Sequence, residues 1–590
     1  MIRLLFASAS KKLLTAALLL APFFAATQTN ILTTNPVAEQ ILLGNYDPAD
    51  YAASVVVTAP DVIATGLNTR ISADSLKAYI LKLSTFGNRN TIADTLSPVT
   101  GIGAARRWVH QKFEEFDTQN EDRLVVSYLQ FDQTIAACNF TGQYRNIMAV
   151  LPGTNPDTNG VILIEGHIDS RCDGLCDIAC LAEGVEDNAT GTALVMELAR
   201  VMAQYSFKNT IVFLVTIGEE QGLLGAAAFA ELAKQKSIPV RAVLNNDVIG
   251  GIICGQTSSP PSCPGLNQID STSVRLFSFS GFNSKHKQLA RFIKLQYREN
   301  ILPQALVPMN LRIMAPEDRT GRGGDHIPFR ERGFTAMRFT SANEHGNASN
   351  GPNYHDRQHT SDDILGVDTD GNGEVDSFFV DFNYLARNAV INANAAAIAA
   401  RNVPTPTNFT GTRSGNQLTV NITDPANMGV YRVAWRSTTN DWDTVFTLTG
   451  ATTGVFPCDP DADLLLSVAA VDGQGAESLF SGEKAINVSV GTEEATEETT
   501  RNIRLLQNRP NPFDEATWIS FWVNEVPNYR EAAIQIVDLQ GKTVALMPVQ
   551  LKAGMNEILY THGYGVRGTF AYTLLLDGRP LETRQMIFAN

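Results

Sequence analysis

Two adjacent glutamates, Glu219 and Glu220, end the apolar run in "IVFLVTIGEEQGLLG". They belong to a series. "VILIEGHID" finishes on His167 and Asp169, the loop "GVEDNATG" carries Asp187, and "LNND" finishes on Asp247. Ligands of an open parallel sheet bind beyond the carboxyl ends of its strands, so these polar residues converge on one rim. Taken singly, an aspartate at a strand end is a turn former or helix cap, and a lone histidine is a core or surface residue. Five such events in chain order favour a metal site. Carboxylates and imidazoles without thiolates suit zinc or a similar divalent ion with one position open to water. Several carboxylates in one pocket suit two ions that share a bridging carboxylate.

The elements that must position these residues are legible in the same runs. Residues 71–116 contain two stretches of helical spacing, "ISADSLKAYILKLSTF" and "GIGAARRWVHQKFEEF", with Ser72 as N-cap. Strand-like runs then alternate with helical ones: "RLVVSYLQF", "RNIMAVLPG", "GVILIEGHI", the helix "GTALVMELARVMAQY", "NTIVFLVTIG", the helix "GAAAFAELAKQK" and "RAVLNNDVIG". This alternation predicts an α/β domain over residues 71–402, a mostly parallel central sheet flanked by helices, closing on the helix "VDFNYLARNAVINANAAAIAAR". Short alternating strands such as "QLTVNITD" and "GVYRVAWRS" then predict a β-sandwich of the fibronectin type III kind over 403–490. The acidic linker "GTEEATEETT" at 491–500 precedes a second small all-β domain at 501–590.

Composition bounds the surroundings. A chain of 590 residues has room for three or four domains of about 150 residues, and a formal charge of −15 argues against nucleic acid as a partner. Arg3, Lys11 and Lys12 precede the apolar run from Leu13 to Ala26, which reads as a signal peptide over 1–26. That run is shorter than the ~20 residues of a membrane span, and no later stretch is long and apolar enough to be one. Residues 27–70 then form either a removable pro-segment or part of the catalytic fold. Export permits disulfides. Six cysteines, Cys138, Cys172, Cys176, Cys180, Cys254 and Cys263, fall in one region, an even number that favours a disulfide framework over a thiolate metal cluster. Cys254 and Cys263 flank a Pro/Ser/Gly-rich loop and are expected to pair; Cys458 is left over.

With "GHIDS", "EDNATG", "IGEEQGLLG", "NNDVIG", "GGDHIPF" and "QHTSDD" in this order, the region 71–402 resembles the di-zinc exopeptidases of the bacterial leucyl-aminopeptidase type, the twenty-eighth metallopeptidase family. The resemblance implies the zinc exopeptidase fold and two zinc ions, with His167 and Asp247 on one, Glu220 and His359 on the other, and Asp187 bridging. It implies that Asp169 orients the His167 ring and that Glu219 is the general base acting on a metal-polarised water. "NYHDRQHTSDD" offers His355 as well as His359, and His359 fits the family pattern of a histidine followed closely by acids. Asp325 and His326 match a motif near the active site of related enzymes, as substrate contacts or as groups supporting the ligands. Peptides are the implied substrates. Glutaminyl cyclases share the fold and a "DHIPF"-like run, and carboxypeptidase relatives or a catalytically dead binding protein are further alternatives.

Two more resemblances lie outside that core. "DTDGNGEVD" is similar to the start of a calcium loop, with Asp368, Asp370 and Asn372 in place, but Phe379 stands where a bidentate glutamate belongs, so a solvent turn fits equally. "LLQNRPNPFDEATWISFWV", with "IVDLQGKTV" and "RGTFAYTLLLDGRPL", resembles the C-terminal sorting domains of the type IX secretion pathway. That implies export through the outer membrane, the secretion machinery as partner, and a secreted or cell-surface location.

Overall fold

The computed structural model describes residues 28–590 apart from 159, 254–267, 280–282, 320–321, 343–356, 438–440, 461, 463, 487–502, 514–515, 539–542, 563–567 and 590. The expected signal peptide, the acidic linker, His355, Cys254 and Cys263 lie outside the described residues.

A nine-stranded sheet organises the first part of the chain. Its strands are β1 (Thr29–Thr33), β2 (Val125–Ile135), β3 (Phe140–Leu151), β4 (Val161–His167), β5 (Thr210–Thr216), β6 (Val240–Asn246), β7 (Ser273–Phe277), β8 (Asn310–Ile313) and β9 (Ala336–Ser341), in the spatial order β1-β2-β3-β5-β4-β6-β9-β7-β8. The centre, β5-β4-β6-β9, is parallel as the sequence predicts. The β1-β2-β3-β5 side is antiparallel, and β7 runs antiparallel to β9. The β2–β3 pair is a hairpin of long strands, which needs no crossover helix and so escapes a rule built on alternation. Every residue of β4 and β5 is buried, as befits central strands covered on both faces.

The helices cover this sheet. Helix α1 spans Pro36–Leu42, α2 Pro60–Arg70, α3 Ala73–Ser84, α4 Gly101–Gln119, α5 Thr190–Met202, α6 Leu224–Gln235, α7 Lys285–Gln296, α8 His326–Glu331 and α9 Phe382–Ala399. Ser72 caps α3 by accepting from Ser75 N, and Asp381 caps α9 by accepting from Asn383 N and Tyr384 N. Helix α5 packs on β4 and β5 with α3, α4 and α9 around it, so all but one of its residues are buried. The expected boundary at residue 71 has no counterpart in the packing. Strand β1 pairs with β2, and Ala38, Ile41, Leu42, Ile63, Ala64 and Leu67 belong to the same hydrophobic core as the sheet.

Two disulfides, Cys138–Cys176 and Cys172–Cys180, staple the loop after β4 to itself and to the β2–β3 turn. They bear out the framework for four of the six cysteines and leave Cys458 free.

Two all-β units follow. In the first, β12 (Asn408–Ser414), β13 (Gln417–Thr423) and β16 (Thr453–Pro457) form a three-stranded sheet. Its partner sheet has the order β15 (Thr444–Thr449), β14 (Val430–Arg436), β17 (Leu464–Val471), β18 (Lys484–Ile486). This unit docks on α7. Arg291 Nη1 lies 3.1 Å from Glu483 Oε1, Gln296 Nε2 donates to Glu477 Oε2 at 2.6 Å, and Trp442 and Phe480 join the hydrophobic core of the nine-stranded sheet. The last unit pairs a sheet β19 (Ile503–Leu505), β20 (Ala516–Val523), β23 (Gly554–Thr561) with a sheet β22 (Thr543–Pro548), β21 (Ala532–Val537), β24 (Gly568–Leu576), β25 (Arg579–Phe588) around its own core. Among the described residues no helix is long and apolar enough to cross a membrane.

Candidate metal centre

The parallel strands deliver the predicted residues to one rim. His167 is the last residue of β4, Asp247 follows β6, Glu219 and Glu220 follow β5 after a turn at Gly218, and Asp187 lies in the segment leading into α5. Gly218 has φ +76°, a conformation open to glycine that turns the chain sharply out of the strand.

Asp169 organises the first layer. The Nδ1 of His167 donates to the Asp169 carbonyl at 3.1 Å, with the carboxylate Oδ1 at 3.6 Å. The same carboxylate accepts from Glu219 N at 3.4 Å, from Glu220 N at 3.2 Å and from Thr91 Oγ1 at 3.0 Å. One buried acid therefore fixes a ring orientation and the backbone of both glutamates. With Nδ1 occupied, His167 Nε2 points at Asp187 Oδ1 (3.2 Å) and Asp247 Oδ1 (3.6 Å), yet it makes no hydrogen bond.

Asp187 is held by its backbone: Glu186 N and Asp187 N donate to the Asp363 carboxylate at 2.8 and 2.9 Å. Its two oxygens then face different histidines, Oδ1 towards His167 and Oδ2 towards His359 Nε2 at 3.2 Å. Glu220 Oε2 is also 3.2 Å from His359 Nε2. His359 has φ +61°, uncommon for a residue with a side chain and held in place by its surroundings. Side-chain donor atoms of His167, Glu219 and Asp247 lie within 4.8 Å of one another, as do those of Asp187, Glu220 and His359.

Electrostatics point the same way. The surrounding carboxylates hold the His167 imidazole well above its usual range, overcoming burial that alone would lower it. The His359 value goes to about 9, burial again opposing and Glu220 and Asp187 prevailing. Burial opposes the ionised form of Asp187, but the two histidines bring its carboxyl well below the usual range. Burial pushes Glu219 far up, with Asp247, Glu220 and Asp325 adding to the effect and His167 opposing it. Such a concentration of carboxylates draws protons onto its imidazoles, and a divalent cation can take their place. The orphaned, buried Nε2 of His167 and the all-N/O donor set fit zinc.

Asp325 and His326 are both fully buried, behind the residues that face the rim. Asp325 lies behind the end of β5, its Oδ2 accepting from Thr216 Oγ1 at 2.6 Å, while Thr216 also reaches Glu165 Oε1 at 2.8 Å. His326 Nε2 approaches the Glu317 carbonyl at 3.2 Å, outside the two ligand groups. Asp368, Asp370 and Asn372 lie in the loop of a small hairpin, β10 (Gly366–Val367) and β11 (Ser377–Phe378). There carboxylate oxygens of Asp368, Asp370 and Asp376 lie within 4.8 Å of one another. Asn372 Nδ2 donates to Asp370 Oδ2 at 3.1 Å and its Oδ1 accepts from Glu374 N at 2.8 Å. Asp368 accepts from Gly371 N and Gly373 N, both at 2.7 Å. These bonds account for the loop as a self-capped, exposed turn.

Sequence reasoning missed Thr91, Asp363, Arg171 and Arg338. Arg171 Nε donates to Glu220 Oε2 at 2.9 Å and its Nη2 lies 2.7 Å from His359 Nδ1. Arg338 contacts Asp247. A charged residue in the middle of "AMRFTS", a buried strand, was the one signal available for Arg338.

Comparison with known proteins gives the family. The profile of "Peptidase family M28" matches residues 146–263. A protein of Pyrenophora tritici-repentis described as "Probable zinc metalloprotease" is 35% identical over 296 residues, which cover 48% of this chain and 67% of that one. One of Pyricularia oryzae with the same description is 31% identical over 465 residues, covering 73% and 88%. Among solved structures, the LapA aminopeptidase of Legionella pneumophila is 17% identical with a TM-score of 0.40, covering 60% of this chain and 78% of its own. The glutaminyl cyclase of Porphyromonas gingivalis is 16% identical with a TM-score of 0.37, covering 55% and 97%. Likenesses as loose as these two decide no activity. The chain belongs to peptidase family M28, the zinc metallopeptidases.

Proposed function

We propose that this protein is a secreted exopeptidase with two zinc ions, an aminopeptidase that removes N-terminal residues from peptides. The observation that carries this reading is the Asp187 carboxylate, one oxygen 3.2 Å from His167 Nε2 and the other 3.2 Å from His359 Nε2, with a separate glutamate or aspartate beside each histidine. His167 and Asp247 would hold one ion, Glu220 and His359 the other, and Asp187 both. Bound zinc supplies Lewis-acid polarisation of the scissile carbonyl and of the attacking water. Glu219 takes the proton of that water and returns it to the departing amine. Asp169 keeps the His167 ring turned and sets the backbone from which Glu219 projects. The surplus of carboxylates also supplies the negative field that a free α-ammonium group needs.

The flanking regions extend the proposal: the leader at 1–26 and the sorting-like domain at 501–590 would take the enzyme through the outer membrane, while 403–490 would be a fibronectin type III-like companion. Profiling free-amine, N-blocked and N-terminal glutamine peptides tests the activity. Cleavage confined to free amines is expected; pyroglutamate formation would select a glutaminyl cyclase instead. Glu219→Gln should lower kcat by about 10²- to 10⁴-fold with zinc content unchanged, and undiminished turnover would remove Glu219 from its role.

A further inference from the structure

Asp247 is gripped at three points by residues of β9. Its carbonyl accepts from Arg338 Nε at 2.8 Å and from Thr340 Oγ1 at 2.9 Å, and its own N donates to the Phe339 carbonyl at 3.2 Å. A fourth contact reaches the carboxylate, as an ion pair without hydrogen-bond geometry: Arg338 Nη2 is 3.2 Å from Asp247 Oδ2. Asp247 Oδ1, the other oxygen, is the one that faces His167 Nε2, at 3.6 Å. The guanidinium is fully buried, with its remaining edge spent on Asp318 Oδ2 at 3.0 Å and the Gly323 carbonyl at 2.7 Å. Asp318 is in turn buried and accepts from Arg319 N at 2.7 Å.

A buried arginine placed between two carboxylates is expensive to desolvate and is held by matching geometry on both sides. Here that geometry has a consequence for chemistry. With the guanidinium charge beside Oδ2, part of the Asp247 charge is already compensated, which favours Oδ1 as the oxygen offered to a cation. The backbone bonds fix where that oxygen points.

We propose that Arg338, anchored by Asp318, is a positioning residue that restricts Asp247 to one-oxygen ligation on the His167 side of the centre. The proposal rests on the two-zinc reading above. Loss of the arginine frees Oδ2, lets the carboxylate rotate, and weakens the ion beside His167 without reaching the one beside His359.

The test is chelator competition on the full-length chain, following zinc content and release for the wild type, Arg338→Met, Arg338→Lys and Asp318→Asn, with circular dichroism as the check on folding. The wild type must first bind two equivalents; if it binds fewer, the two-zinc reading fails by itself, whatever the variants do. Given two, Arg338→Met should release one equivalent at a chelator strength about 10- to 100-fold lower and keep the other unchanged. Arg338→Lys, which restores the charge but not the fork, should recover part of the loss. Asp318→Asn leaves Arg338 in place and should shift the same equivalent by less, so it decides the matter if Arg338→Met does not fold. Unchanged affinity for both equivalents in folded Arg338→Met, or in Asp318→Asn where that is the deciding variant, would overturn the proposal. So would an equal weakening of the two.

Discussion

On the His167 side of the centre every supporting group is buried and belongs to or abuts a central strand: His167 at the end of β4, Asp247 beyond β6, Arg338 within β9, Asp169 behind them. On the His359 side the histidine comes from a loop with φ +61°, its side chain is 16% exposed, and the guanidinium beside it, Arg171, is 20% exposed. Each side sets an arginine against a carboxylate, Arg338 on Asp247 and Arg171 on Glu220. One arginine is sealed in the core, whereas the other rides on a loop stapled by the Cys172–Cys180 and Cys138–Cys176 disulfides. Strand-borne ligands give one half a fixed geometry. The other half, built from loops, faces the solvent from which a peptide arrives.

Removing what the halves share should have the largest effect. Asp187→Asn leaves the shape of the site but lacks the charge that faces both histidines, so zinc content should fall on both sides and hydrolysis of aminoacyl-nitroanilides should disappear. Retention of one full equivalent would show that the bridge serves one side only. Next, His359→Ala should lose one equivalent of zinc and leave thermal unfolding of the chelated chain little changed, whereas His167→Ala should lose its equivalent and also unfold earlier, since it empties a buried position. Equal unfolding temperatures for these two variants would erase the distinction between the halves.

The smallest expected effect concerns the support of the buried half. Lys287 on α7 donates to the Met314 carbonyl, close in sequence to Asp318, and burial, reinforced by Arg291, lowers its ammonium to about 7 from 10.5. Between these values the unfolded chain holds a proton that the folded chain has released. Stability therefore rises with pH across that window, by at most about 1.4 kcal/mol per pH unit, and the deficit is fully present below pH 7. Lys287→Met should flatten this part of the unfolding profile while leaving zinc content alone. A profile as steep as that of the wild type would show that Lys287 does not titrate there.

The carboxylates and the His167 ring that meet at the rim were legible because each follows an apolar run long enough to identify as a strand or stands in the turn leading into a helix; chain order then does the rest. The parallel centre of the sheet was legible for the same reason. What supports the ligands was not. Thr91 lies in "NRNTIADT", Asp318 in "APEDRTGRGG" and Asp363 in "HTSDD", stretches without periodicity whose partners are distant in sequence and are brought together by topology alone. Residues 27–70 left open a removable pro-segment or part of the fold, and the pairing of β1 with β2 could not be read from the sequence. Asp325 and His326 were legible only as a motif; their burial behind the end of β5 is visible in the fold alone.

The central claim is that two half-sites, unequal in burial, share the Asp187 carboxylate and act together. Stepwise return of zinc to the chelated wild-type chain, with hydrolysis of a free-amine substrate followed at each addition, tests it most directly. The account predicts saturation at two equivalents per chain, with full activity reached only with the second. Saturation at one equivalent with full activity, or no zinc dependence at all, would contradict it.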